Sequence, residues 1–347
     1  MTLVELGWSD RFASAYALVA DEDLRPGRVG IEFNQIFRVF VEGGELDAVT
    51  AGRLKHRARN RAELPAVGDW VAVRQRSDEE RAVIVSVLPR RSAFTRRGAG
   101  NVTGEQVVAA NVDVAFVVMG LDADFNVRRL ERYLLMARES GASPVVLLTK
   151  PDLCADVAGA VRDVAAIAGE LPVHVLQPKL GEGIEEVRAH LAAGLTAALL
   201  GSSGVGKSTI INRLAGSDLQ RTREVRLSDS RGRHTTTHRE LVVLPDGGLI
   251  IDTPGMRELQ LWDAAAAVGE TFGDIEVLAA GCQFGNCRHR EEPRCAVKAA
   301  IAAGQVTAAR LESYLKLQDE LKDLAKQQDE RAELDEKRRS RSRRRPL

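Results

Sequence analysis

The sequence predicts three domains in series: a small N-terminal β-barrel, a central doubly wound α/β domain, and a C-terminal helical domain stapled by a metal ion. Three observations predict it. Short, largely alternating apolar segments with glycine turns fill residues 31 to about 97. From about 105 the texture becomes apolar strands alternating with helical segments. Three of the four cysteines then fall with a histidine between 282 and 295. A length of 347 residues exceeds one typical domain, and an apolar fraction of 44% supplies material for more than one core. The expected boundaries are a lead over 1–30, the barrel over 31–100, the α/β domain over 105–262, the metal domain over 263–335 and a basic tail over 336–347.

The lead is weakly patterned. Ile31 to Val41 reads as one largely alternating strand, and Gly43-Gly44 as a turn. Pro65 to Val73 and Ala82 to Val87 supply two more strands. Short strands, glycine turns and interleaved arginines suit an oligonucleotide-binding barrel, with an SH3-like barrel the alternative. Trp70 and Phe94 are read as core, with base stacking the alternative.

In the second region Asp113 to Met119 is a continuous apolar run, as in a parallel sheet buried on both faces. Helix is expected over Val127 to Glu139. Strands follow at Val145 to Thr149, Val173 to Leu176, Thr196 to Gly201 and Leu249 to Asp252. Strand–helix alternation implies a doubly wound sheet, which binds ligands at the carboxyl ends of its strands. The third region is helical from about 264, is broken by the Cys/His cluster, and resumes as a charged helix over 308–337.

Chemistry sits at those strand ends. Gly201-Ser202-Ser203-Gly204-Val205-Gly206-Lys207-Ser208-Thr209 fits the phosphate-loop pattern between an apolar strand and a helix. Its glycines let backbone N–H groups approach phosphates at a helix N-terminus. Lys207 would span the β- and γ-phosphates and Ser208 would ligate Mg²⁺. Asp252-Thr-Pro-Gly255 lies about 50 residues on, with Asp252 suited to hold Mg²⁺ through water and the Gly255 N–H to meet the γ-phosphate. Thr149-Lys150-Pro151-Asp152 is a base-reading motif. Asp152 would accept from guanine N1–H and N2–H₂, a pair adenine cannot offer, and the Lys150 stem would lie on the base plane. The usual first residue is Asn. Thr149 lacks the amide that contacts the base and ties this loop to the phosphate loop, so guanine preference is expected to survive, with weaker affinity the alternative to full affinity. A loop contacting the base is assigned by position alone to Gln177-Pro178-Lys179.

The base motif precedes the phosphate loop, the reverse of ordinary small GTPases. The complete but rotated set predicts a circularly permuted P-loop GTPase binding GTP or GDP with Mg²⁺. A switch segment belongs at Arg231 to His238, with Thr235, Thr236 and Thr237 as candidates for Mg²⁺ and γ-phosphate and Thr236 preferred. Met256 stands where many GTPases place the water-orienting Gln. Intrinsic hydrolysis is therefore expected to be slow, with His234 the candidate replacement and a structural or RNA-facing histidine the alternative.

Cys282, Cys287, His289 and Cys295 form a closed Cys₃His set for one structural Zn²⁺. Cys154 stands apart and is read as an ordinary buried thiol. The cysteine pattern excludes a disulfide scaffold, and with no signal peptide and no apolar run of about 18 residues a soluble cytoplasmic protein is expected. Net charge is +0, yet basic residues cluster at Arg53, Lys55, Arg57, Arg59 and Arg61, at Arg90, Arg91, Arg96 and Arg97, and in the tail from Lys337 to Arg345. Such blocks suit phosphate backbones, with a solvated surface the alternative.

With these residues in hand, the chain resembles the bacterial ribosome small-subunit-dependent GTPase A family over about residues 5 to 320. Besides the nucleotide and Cys/His motifs the resemblance rests on Pro65 to Val71, Leu88 to Ser92, Asn111 to Asp113, Arg132 to Leu134 and Gly232 to His238. It implies an oligonucleotide-binding barrel, a permuted GTPase and a zinc domain. It further implies a late assembly factor that binds the maturing 30S subunit, contacts 16S rRNA, and leaves after subunit-stimulated GTP hydrolysis. A monomer is expected, with no membrane partner. The alternatives are an RNA-binding or chaperone protein with a weak or vestigial nucleotide site, a P-loop ATPase or kinase, and a permuted GTPase of the large subunit.

Overall fold

The computed structural model describes residues 1–75, 81–97, 105–216, 239–252 and 271–319, with 322 and 326. The chain divides into two compact units, Met1–Gln260 and Leu261–Leu347.

Within the weakly patterned lead the first unit forms a helix. Helix α1 (Asp10–Ala17) buries Phe12, and Trp8 and Phe12 stand 4.7 and 5.7 Å from the Trp70 ring. Strands β1 (Leu24–Phe33), β2 (Ile36–Val41), β3 (Gly44–Thr50), β4 (Trp70–Arg74) and β5 (Ala82–Val87) pair in the order β1-β2-β3-β5-β4, and β4 returns to β1. That closes a five-stranded barrel around Val29, Val39, Val71, Val73 and Ile84. The run from Ile31 to Val41 is therefore a hairpin, not one strand. Asn34 and Gln35 adopt φ of 49° and 65°, the positive pair that a tight primed turn requires. Trp70 and Phe94 are both buried, which selects the core reading.

Helix α2 (Gly52–Arg57) follows β3, and Arg53, Lys55, Arg57, Arg59 and Arg61 are all exposed. The second basic group behaves otherwise. Arg90 is half-buried and clamps the fully buried Asp69 carboxylate at 2.7 Å through both Nε and Nη2, while Arg91 pairs with Asp113. Arg90 thus holds the fold together, while Arg91 stays exposed beside its partner. A ribbon of β6 (Ala93–Arg97) and β7 (Glu105–Ala110) leads into the α/β domain.

There β8 (Val114–Gly120), α3 (Val127–Glu139), β9 (Ser143–Thr149), α4 (Val157–Ala168), β10 (Val173–Leu176), α5 (Ile184–Arg188), β11 (Thr196–Leu200), α6 (Lys207–Ala215), β12 (Arg239–Val243) and β13 (Leu249–Asp252) build a sheet of order β10-β9-β8-β11-β13-β12. The first five strands are parallel, and β12 runs antiparallel to β13. Every residue of β8 is buried, as the unbroken apolar run requires.

The barrel and this sheet share a strand. After a bulge between Val29 and Ile31, β1 leaves β4 and pairs with β12, Ile31 opposite Glu240 and Glu32 opposite Arg239. Arg28, just before the bulge, is buried. It donates through Nε to Gly68 O at 3.3 Å, through Nη2 to Asn111 O at 3.2 Å, and through Nη1 to Leu6 O. One guanidinium thus ties the lead, the barrel and the start of the α/β domain. Burial lowers its pKa to about 10, opposed by Asp113, so it stays charged at neutral pH.

In the second unit α7 (Gly273–Ala279), α8 (Ala296–Ala302) and a helix over 308–319 pack together. Tyr314 donates to Glu276 at 2.7 Å, and Arg310 pairs with Asp274 while covering the Phe272 ring.

Replacing Arg28 with Met would take the guanidinium donor from the Leu6 and Asn111 carbonyls and leave Gly68 O with Asn111 Nδ2. Arg28→Met is expected to destabilise the first unit by about 3 kcal/mol, read as a lowered denaturation midpoint by tryptophan fluorescence.

Candidate nucleotide site and metal centre

Strand β8 lies between β9 and β11 in parallel register, Gly120 beside Thr149 and Val117 beside Leu200. The base motif at the end of β9 and the phosphate loop at the end of β11 therefore emerge on the same edge, although 56 positions separate Thr149 from Val205.

The phosphate loop has the backbone its glycines foretell. Gly201 sits at φ +150°, and a Cβ there would lie 2.3 Å from Val118 O. Gly204 and Gly206 also take positive φ. Gly206 caps α6 with no side-chain acceptor on the first turn, which leaves the helix-terminal N–H groups available to an anion. Lys207 Nζ donates to Gly201 O at 2.8 Å and Ser202 O at 2.6 Å, so the ammonium lies over the loop. Val205 is buried beneath it, and Ser203 and Ser208 are exposed. Asp252 ends β13, paired with Glu240 of β12.

Thr149 is where the sequence reading needs correction. The side chain was expected to lose the tie to the phosphate loop. Instead the buried Thr149 Oγ1 donates to Val205 O at 2.6 Å, so a hydroxyl makes the tie an amide would otherwise make. Lys150 takes φ 58° and ψ 46° and starts a short 3₁₀ turn over Pro151–Leu153, with Asp152 exposed. The loop assigned by position, 177–179, is held by the phosphate-loop helix: Arg213 of α6 donates to Pro178 O at 2.9 Å and also to Lys179 O. No sequence signal marked Arg213 for this role. Cys154 is half-buried, not buried as expected, because its turn sits at the surface. His234, Thr235, Thr236, Thr237, Gly255, Met256 and the basic tail lie outside the described residues.

In the second unit Cys282, Cys287, His289 and Cys295 place their ligand atoms within 4.8 Å of one another. Cys282 Sγ is 3.9 Å from Cys295 Sγ, and His289 Nδ1 is 3.6 and 3.4 Å from those two sulfurs. Tetrahedral zinc with bonds of ~2.3 Å to sulfur needs edges close to these, so the donor set fits a zinc ion. The backbone N–H groups of Ala296 and Val297 bond the Cys282 sulfur, the outer support thiolate ligands use. His289 reaches the cluster from a left-handed backbone, φ 58°. Glu292 braces the turn between the ligands. Its carboxylate accepts its own N–H and those of Arg288, Arg290 and Glu291, which hold its pKa down to about 2.

Thr149→Val keeps the shape but strips Val205 O of its donor. Guanine-nucleotide affinity is expected to fall by about tenfold, the order of one buried hydrogen bond, with Thr149→Ser close to the parent. Fluorescent GDP titration reads both.

Known proteins resemble this chain over most of its length. A family model described as RsgA GTPase matches residues 87–262, and one described as 50S ribosome-binding GTPase matches 196–331. The small ribosomal subunit biogenesis GTPase RsgA of Opitutus terrae is 50% identical over 329 residues, covering 92% of this chain and 90% of that protein. The protein of the same name from Syntrophotalea carbinolica is 42% identical and covers 97% and 94%. Among solved structures, YjeQ from Thermotoga maritima superposes with a TM-score of 0.64 at 26% identity, covering 86% of this chain and 98% of that one. YloQ, a circularly permuted GTPase, gives 0.61 at 24% and shares the fold, covering 87% and 96%. With such identity along nearly the whole chain, and a base motif that precedes the phosphate loop yet meets it in space, this chain belongs to the RsgA GTPase family.

Proposed function

We propose that this chain hydrolyses GTP with Mg²⁺ as a late assembly factor of the small ribosomal subunit. It binds 30S and its 16S rRNA and departs after hydrolysis that the subunit stimulates. The observation carrying this reading is the juxtaposition of Thr149–Asp152 with Gly201–Thr209 through the Thr149–Val205 bond, in a chain whose relatives are named for small-subunit biogenesis.

Each site residue has a part in this proposal. Asp152 reads the guanine edge and Lys150 lies along the base. Phosphates settle on the N–H groups of the loop, and Lys207 turns from the Gly201 and Ser202 carbonyls to the β- and γ-phosphates. Ser208 and Asp252 hold Mg²⁺, directly and through water. Thr236 and the Gly255 N–H sense the γ-phosphate, and His234 orients the water in place of the Gln that Met256 replaces. Zinc on Cys282, Cys287, His289 and Cys295 is structural, because four protein ligands leave no open position. The exposed basic group from Arg53 to Arg61 supports a barrel surface for rRNA phosphates. We place the factor in the cytoplasm as a monomer; among the described residues no helix is long and apolar enough to cross a membrane.

A second reading has an observation of its own. The match of residues 196–331 to the 50S ribosome-binding GTPase model allows a large-subunit partner. GTP hydrolysis measured alone, with 30S and with 50S, with ATP as control, separates the two. Strong stimulation by 30S only is expected. Stimulation by 50S alone, or by neither, overturns the small-subunit reading.

Two further outcomes are expected. His234→Ala loses the stimulated rate by a hundredfold or so, the order of a general-base contribution, while still co-sedimenting with 30S. Metal analysis finds one zinc per chain, and chelation melts the second unit at lower temperature with GDP binding retained.

A further inference from the structure

The loop joining β8 to α3, residues 121–126, holds none of the residues assigned to the nucleotide, yet it grips both segments that do. Leu121 N donates to Thr149 O at 2.8 Å. Asp122 Oδ2 pairs with Lys150 Nζ at 2.6 Å. Both Asp124 carboxylate oxygens accept from Arg129 Nη1 at 2.9 Å, and the same Nη1 donates to Ser202 Oγ at 2.6 Å. Ser202 is the second residue of the phosphate loop, and its carbonyl already holds Lys207. A continuous polar path thus runs from the base motif, through two aspartates and one arginine, to the phosphate loop.

The loop is shaped for this. Asp122 Oδ1 accepts from Asp124 N at 3.1 Å and Asn126 caps α3 by accepting from Arg129 N at 3.0 Å, which fixes the bases of both arms. Gly120 makes room: a Cβ there would lie 2.9 Å from Asp122 Oδ1 and press on the carboxylate. Lys150 holds the Asp122 carboxyl below the usual carboxylate range, and Arg129 does the same for Asp124. Both carboxylates are ionised at neutral pH.

A lysine stem loses rotamer freedom when it is laid along a base. Here its backbone is set at one end by the left-handed turn and its ammonium at the other by Asp122, so much of that loss precedes binding, and preorganisation of this kind raises affinity. Arg129 likewise fixes Ser202 before phosphates arrive. We propose that loop 121–126 is an additional element of the guanine-nucleotide site, with Asp122 a positioning residue for Lys150 and the Asp124–Arg129 pair a positioning device for the phosphate loop. This rests on the guanine-nucleotide reading above.

The test is a pair of double-mutant cycles on the full chain, read by displacement of fluorescent GDP with GDP and with guanosine. Asp122→Asn is expected to weaken GDP and guanosine alike by about tenfold, an interaction of the size two-residue cycles return. It adds nothing to Lys150→Met, and Asp122→Glu recovers part of the loss. Under turnover KM rises with the same factor and kcat changes less than threefold. Arg129→Gln is expected to weaken GDP several-fold, to leave guanosine unchanged, and to be non-additive with Ser202→Ala. Each variant's melting temperature is compared with the parent; if Asp122→Asn unfolds, Asp122→Glu and Arg129→Gln decide. Affinities within twofold of the parent, or effects that simply add, overturn the proposal. If the parent chain itself fails to bind GDP, the guanine-nucleotide reading falls instead.

Discussion

Strand β8 is the member on which the nucleotide site depends. It is buried along its whole length between β9 and β11, so its seven residues must be apolar and its register is fixed on both sides. Parallel pairing then forces the two neighbouring strands to end at the same edge. The chain ends can be moved elsewhere, as the permuted order here implies, because the site needs only these three strands side by side. The Thr149–Val205 bond and the Asp122–Lys150 pair are fine adjustments on that frame.

The second organising constraint is the sharing of β1. A strand that closes a barrel has no free edge, so β1 reaches the α/β sheet by changing partners at the bulge next to Val29. The strand it meets, β12, leads out of the segment where the sequence places the switch. It joins the barrel strand at the Ile31–Glu240 and Glu32–Arg239 pairs. Arg28 locks the other side of the same junction. Its charge costs desolvation, but three carbonyls from three segments repay it in a way no apolar side chain could.

Several residues carried more than one reading in the sequence, and packing chose between them. Trp70 is core because Trp8 and Phe12, from the weakly patterned lead, close over it. Arg90 sits in a basic cluster next to Arg91, yet it is half-buried because its partner Asp69 lies inside the fold. Ile31 to Val41 alternates as one strand would, and only the positive φ of Asn34 and Gln35 splits it; Gln gives little warning of such a turn. Thr149 was read by side-chain type, as a missing amide, while what mattered was that a buried hydroxyl could reach Val205 O.

The sequence by itself determined the class of the protein. Periodicity of two and an unbroken apolar run distinguish barrel strands from buried parallel strands, because the pleat exposes one face in the first and neither in the second. The phosphate loop, base motif and Cys₃His set are legible because their chemistry fixes residue type and spacing locally. Tertiary structure alone decided everything that joins distant positions: the shared strand β1, the Arg28 junction, the hold of Arg213 on 177–179, and the arms of Asp122 and Asp124. The reason is physical. A hydrogen bond or ion pair between residues tens of positions apart leaves no periodic trace, since its partners are ordinary polar residues until folding sets them 3 Å apart.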